Sequence, residues 1–328
     1  MNKVKLGIIG LGYVGKIHLR HCLKIANIDV VAVSDLSKKA LKGAKDAGVK
    51  KTLTNYEQLL KEPDIEAVII ALPTHLHLQC AKQAAEAHKH IFLEKPIAID
   101  LNEAKEIVAT AQRNSVKLMV GYPLRFNARF RELKAKMESG ILGDVEIAYA
   151  TYISSGPFFH RADGYTPVPV PEWWFNKKLT GGGVLVDLGS HIINLMRWFF
   201  GEITDIKSHL GHRFNLDLED SAVCLTKFDS GTTAVMTVGW FLQGYQLKLE
   251  FFGTVDHAFA QHRPRNRLLA ATQMLTTGKS EFHRPHFDEL QYFANCLIND
   301  SSPSPSGQDG LKDLEAIFQA YKNQIRLD

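Results

Sequence analysis

Val4-Lys5-Leu6-Gly7-Ile8-Ile9 runs without a break into Gly10-Leu11-Gly12-Tyr13-Val14-Gly15, and the order of these two pieces decides the fold. A short apolar run that ends in glycine reads as a buried strand, and the stretch 16–25 beyond it has the spacing of a helix. In that setting the GxGxxG pattern carries a mechanism. The first glycine permits a tight turn, the second lets backbone approach a pyrophosphate, and the third packs the helix closely on the strand. Tyr13 and Val14 belong to the same loop, where free amides and the positive end of the helix dipole face the phosphates.

Working outward, Asp35 stands twenty residues past Gly15, at the end of the apolar run Val30-Val31-Ala32-Val33-Ser34. A carboxylate there accepts both ribose hydroxyls of an adenosine half and repels a 2′-phosphate. NAD is therefore the expected cofactor, with NADP kept as the alternative by Ser37 and Lys38. A third pocket element is expected where the next strand ends in Leu72-Pro73-Thr74-His75, at the carboxyl edge of the sheet.

Up to about Tyr122, β-branched runs at 4–9, 29–34, 67–71, 90–93 and 117–120 alternate with helical stretches. That rhythm predicts an N-terminal Rossmann domain, a doubly wound parallel sheet over residues 1–122. Beyond it the period changes to longer alternating strands at 145–153, 203–210, 221–228, 232–241 and 246–252, with Asp229-Ser230-Gly231 as a hairpin turn. A C-terminal α/β domain with a large open, mainly antiparallel sheet is expected over 123–328, its last helices packing back on the Rossmann domain. The Gly-, Pro- and aromatic-rich loop 154–176 is long enough to be functional.

At 328 residues the chain exceeds one hydrophobic core. Its formal charge of +4 comes from scattered lysines, which argues against a nucleic-acid partner. Cys22, Cys80, Cys224 and Cys296 form no CxxC pair, so neither a zinc site nor a disulfide framework is expected. With neither a signal segment nor a membrane span in the pattern, the expected location is the cytoplasm.

Three further segments are specific in combination. Glu94-Lys95-Pro96 follows a strand, Gly121-Tyr122-Pro123-Leu124-Arg125-Phe126-Asn127 follows the next, and Gly181-Gly182-Gly183-Val184-Leu185-Val186-Asp187-Leu188-Gly189-Ser190-His191 opens a helix. Together with the Gly-rich start, and in this order across nearly the whole chain, they resemble the glucose–fructose oxidoreductase/inositol dehydrogenase (Gfo/Idh/MocA) family. The resemblance implies a nicotinamide cofactor and a sugar, polyol or nucleotide-sugar substrate. It also implies a homodimer or homotetramer formed through the open sheet. It carries the family's lysine to Lys95, the preceding glutamate to Glu94, and its Asp/His pair to Asp187 and His191. Asn194, three residues after His191, stands where many members have aspartate, and it is grouped with the substrate-binding residues.

The residue chemistry agrees with that assignment. Oxidation of a secondary alcohol needs a base, and imidazole titrates near neutrality, which makes His191 the best candidate. Asp187 precedes it by four residues, so both side chains share one helix face. The Lys95 ammonium is expected to hydrogen-bond the reacting oxygen and favour an alkoxide-like transition state. Arg125 and Asn127 are expected to hold hydroxyls or an anionic group, and Tyr152, His160 and Trp174 to line the substrate side. Trp173, Trp198 and Trp240 are assigned to packing. No metal is expected, because the histidines lack ligand spacing and hydride transfer needs none. These residues predict a dehydrogenase acting on CH–OH groups. Two other classes compete: a dinucleotide-binding regulator without chemistry, disfavoured by Lys95, Asp187 and His191, and a reductase of a non-sugar substrate such as a bilin or dihydrodiol.

Overall fold

β1 (Val4–Ile9) lies between β2 (Ile28–Ser34) and β4 (Ala67–Ile70), parallel to both. β3 (Lys51–Leu53) flanks β2, while β5 (His90–Glu94) and β6 (Leu118–Gly121) continue beyond β4. The order β3-β2-β1-β4-β5-β6, parallel throughout, is the doubly wound arrangement, with its switch point beside β1. Ala67-Val68-Ile69-Ile70 is buried at every position, as a strand covered on both faces requires. The rhythm of apolar runs predicts five strands, and the sheet has six. β3 escapes sequence reading because it is three residues long, begins with an exposed lysine and carries no apolar run.

The computed structural model describes residues 3–161, 164–167, 170–262 and 284–325. Two units divide the chain, one holding the described residues of Met1–Pro123 and Lys279–Leu311, the other those of Leu124–Gly278 and Lys312–Asp328. The helix Arg284–Ile298 belongs to the first, where Phe293 packs edge-on against Phe92 of β5 at 5.7 Å.

In the second unit β7 (Val145–Ser154) is followed by a short hairpin, β8 (Phe158–Arg161) and β9 (Gly164–Pro167). Then come β10 (Ile203–Gly211), β11 (Ser221–Phe228), β12 (Thr233–Gly239), β13 (Tyr245–Gly253) and β14 (His257–His262). The main sheet runs β10-β11-β12-β7-β13-β14 and is antiparallel except where β12 meets β7. Asp229-Ser230-Gly231 turns β11 into β12, with Gly231 at φ +94°. Alternation sorts the faces: Ala222, Cys224, Thr226 and Phe228 are buried, while Val223 and Leu225 are exposed. The helix Ser190–Phe200 covers the buried face, with Phe199 and Phe200 each 4.8 Å from the Phe251 ring. The opposite face leaves Ile147, Tyr149, Phe252 and Phe259 exposed beside Val223 and Leu225.

All four cysteines are free and buried. Among the described residues no helix is long and apolar enough to cross a membrane, and no group of three or more His, Cys, Asp or Glu could hold a metal ion.

Candidate active site

The three motif glycines are needed for three different reasons. Gly10 has φ +91°, and a Cβ there would stand 2.4 Å from the Ala71 carbonyl oxygen of the neighbouring strand end. A Cβ on Gly15 would stand 2.0 Å from the Gly10 carbonyl oxygen. Gly12 has nothing within 4 Å of that position, so the backbone is bare toward open space where a pyrophosphate would sit. The helix Tyr13–Cys22 begins there with no side chain capping it, which leaves first-turn amides for phosphate oxygens. Tyr13 is exposed and Val14 half-buried.

Asp35 ties this loop to the end of β2: one carboxylate oxygen accepts from the Leu11 amide at 2.6 Å and the other from the Ser37 amide at 2.7 Å. Each oxygen keeps a second lone pair for a ribose hydroxyl. An open cradle, free amides and a fixed carboxylate together fit a dinucleotide. The loop Leu72-Pro73-Thr74-His75 follows β4 on the same sheet edge, with Thr74 buried and the other three partly exposed. His77, which the sequence marks only as a histidine without ligand spacing, stands fully inside between the carbonyl oxygens of Leu72 and Pro96, each 3.0 Å from a ring nitrogen. Burial pushes its pKa down while the facing carbonyl oxygens oppose that shift, and in the neutral form the ring donates to only one of the two loops at a time.

Glu94 ends β5, where its Oε1 lies 2.5 Å from His18 Nε2 and its Oε2 accepts from the Lys95 amide at 3.2 Å. Burial pushes this carboxyl up, but the bonded His18, with His286 and Lys95 nearby, holds it below the usual range. Lys95 itself is half-buried at the head of the loop. His18 comes from the glycine-loop helix, so the helix after β1 is tied to the end of β5, two strands away, by one charge-assisted bond.

In the second unit, every residue in the stretch 182–200 is buried except Asp187, His191 and Trp198. Leu185–Gly189 is a π turn that runs directly into the helix Ser190–Phe200, and such turns recur at functional sites. Asp187 Oδ2 accepts from the Trp240 indole N–H at 3.2 Å. Trp240 is thus more than the packing residue expected from sequence: it is 1% exposed and aims a donor at Asp187. The Tyr152 ring lies 6.1 Å from His191 and 5.2 Å from Tyr245, and Tyr245 lies 5.7 Å from His262. Burial and then the nearby Asp187 charge keep Tyr152 protonated well above its ordinary range, against the opposing effect of its hydrogen bond with Tyr245. Trp174 packs against Trp240 in a tilted arrangement, with ring centroids 5.4 Å apart.

The other expected substrate residues are engaged differently. Arg125 donates from Nε to Asn194 Oδ1 at 2.7 Å, and Asn194 donates from Nδ2 to Asp313 Oδ2 at 2.5 Å. Arg197 completes the network on the other oxygen of Asp313. Arg125 and Asn194 are 8% and 1% exposed, so both are buried within this polar network. Asn127 caps the helix Ala128–Glu138 and contacts His262 at 2.8 Å. The side chain of His160 lies outside the described residues.

A dinucleotide cradle joined in one chain to an open-sheet unit is the architecture of a nicotinamide-dependent oxidoreductase. Residues 4–122 match the NAD-binding Rossmann domain of the GFO/IDH/MocA oxidoreductase family, and residues 130–257 match its C-terminal domain. The chain belongs to that family. It is 29% identical to an uncharacterized oxidoreductase of Bacillus subtilis, over 94% of this chain and 91% of that protein. It is 28% identical to the scyllo-inositol 2-dehydrogenase (NAD(+)) of the same species, over 100% of this chain and 97% of that protein. The fold is shared with a scyllo-inositol dehydrogenase from Lactobacillus casei solved with NAD(H) and scyllo-inositol: TM-score 0.81, 24% identity, 98% and 97% of the two chains.

Proposed function

We propose that this NAD-binding oxidoreductase is a cytoplasmic dehydrogenase of a cyclic polyol or sugar, with His191 as base, Asp187 as its partner and Lys95 at the reacting oxygen. Bound NAD supplies the hydride acceptor. His191 takes the hydroxyl proton, Asp187 orients the ring and stabilises its charged form, and the Lys95 ammonium steadies the developing alkoxide. The observation that carries this reading is the pattern of openings in 182–200, where an i, i+4 carboxylate and imidazole reach the surface of an otherwise buried turn. Relatives that act on inositols support the substrate class. Buried, free cysteines suit a reducing compartment.

The test follows nicotinamide absorbance over a panel of inositols, sugars and nucleotide sugars with NAD and NADP. Turnover is expected with at least one cyclic polyol or sugar. His191→Ala should lower it by about two to four orders of magnitude with cofactor affinity unchanged, and Lys95→Ala by a similar factor. A fully active His191→Ala enzyme with an unchanged pH profile would refute the assignment.

A further inference from the structure

Glu219 precedes β11 and belongs to no motif in the chain, yet it is 2% exposed. Its Oε1 accepts from the amides of Gly183 and Leu185, both at 3.0 Å, and from the Tyr321 hydroxyl at 2.6 Å. Its backbone carbonyl accepts from the Val184 amide at 3.0 Å. Three consecutive amides at the start of the turn that carries Asp187 therefore end on one residue. A helical start buried from water needs such acceptors, and a π turn has few of its own.

The glycine run is shaped to the same residue. A Cβ on Gly183 would stand 2.2 Å from the Glu219 carbonyl oxygen, and one on Gly182 would stand 2.1 Å from the Tyr321 hydroxyl. Burial and the adjacent Glu219 carboxylate push the Tyr321 phenol well above its ordinary range, so it remains a donor. The next residue works from the other side: the Asp220 carbonyl accepts from the Trp240 amide at 2.9 Å, and the Trp240 indole holds Asp187.

We propose that Glu219 is a positioning residue for the Asp187/His191 pair, setting through the amides of 183–185 the height and rotation of the turn that aims both side chains. It rests on the proposed role of that pair in proton transfer. A buried cap that only stabilised the unit would scale the amount of folded enzyme. A positioning residue changes the chemistry of what is folded.

The experiment compares Glu219→Gln, Glu219→Asp and Glu219→Ala in the full chain, with His191→Ala as reference. It uses the most active substrate of the panel and records His191 titration by NMR in the NAD-saturated protein. Glu219→Ala and Glu219→Asp should lower kcat by about tenfold to a hundredfold, the cost of misplacing a reacting group by about an ångström. Both should shift the pH limb of kcat and the His191 titration while the Kd for NAD stays unchanged. Glu219→Gln, which keeps an acceptor oxygen, should restore most of the turnover. If the Ala variant does not fold, the Asp variant decides. Folded variants with an unmoved pH limb and an unmoved His191 titration overturn the proposal, whatever their kcat. An inactive His191→Ala beside a fully active Glu219→Ala overturns it alone, and a fully active His191→Ala removes it together with the site reading beneath it.

Discussion

The carboxylate of Asp35 accepts a hydrogen bond from the backbone amide of Leu11 at 2.6 Å. One side chain at the end of β2 thereby holds the glycine loop at the end of β1, and it is the residue proposed to accept the ribose hydroxyls. Asp35→Ala should weaken NAD binding by about tenfold to a hundredfold, the worth of a charge-assisted hydrogen bond. It should also narrow the preference over NADP. Calorimetric titration with both cofactors measures each effect, and an unchanged NAD affinity contradicts the role.

Gly12 and Gly15 separate cofactor binding from folding. Gly12→Ala meets no protein atom within 4 Å, so the chain should melt near the wild-type temperature but bind NAD poorly. Gly15→Ala drives a methyl to 2.0 Å from the Gly10 carbonyl oxygen and should cost about 1–3 kcal/mol of stability. Thermal melts with and without NAD distinguish the two, and equal melting temperatures for the two apo variants contradict this division.

Asn194 sits where an aspartate is frequent in the family, and its amide donates to Asp313. Asn194→Asp replaces that donor by an acceptor facing a buried carboxylate. The variant should lose about 1–3 kcal/mol in urea unfolding, the cost of leaving buried polar groups unpaired. Undiminished stability would show that Arg125 alone can absorb the new charge.

Glu289 has 0% exposure, and neither of its carboxylate oxygens has a hydrogen-bond partner among the described residues. Burial, with the Glu94 carboxylate adding to it, pushes its pKa well above the usual range. Above about pH 4 the unfolded chain gives up this proton while the folded chain keeps it, so the unfolded state binds fewer protons and stability falls as pH rises. Glu289→Gln removes that term. Urea midpoints from pH 5 to 8 should show the variant gaining on wild type with rising pH, and a constant difference counts against the assignment.

The exposed face of the main sheet, with Leu225 at 50% and Phe259 at 62%, is the surface proposed to join copies of the chain. Leu225→Glu should lower the sedimenting mass without loss of secondary structure. A wild-type monomer, or a variant of unchanged mass, removes the proposal.

Sequence by itself determined what depends on neighbours along the chain. Val4–Ile9 followed by three glycines, and Asp35 at the end of the next run, specify a strand, a turn, a bare backbone and a carboxylate, because each is a matter of local dihedrals and short spacing. Asp187 and His191 could be proposed as a pair for the same reason, being four residues apart on helical backbone. Tertiary structure decided which distant groups hold them. Glu219 reaches Gly183, Trp240 reaches Asp187, and Tyr245 lies against Tyr152 only once β11, β12, β13 and β7 have taken their register. It also decided that Arg125 and Asn194 bond to each other. A buried polar side chain must find its partner wherever packing puts one, and no period in the sequence marks where that will be.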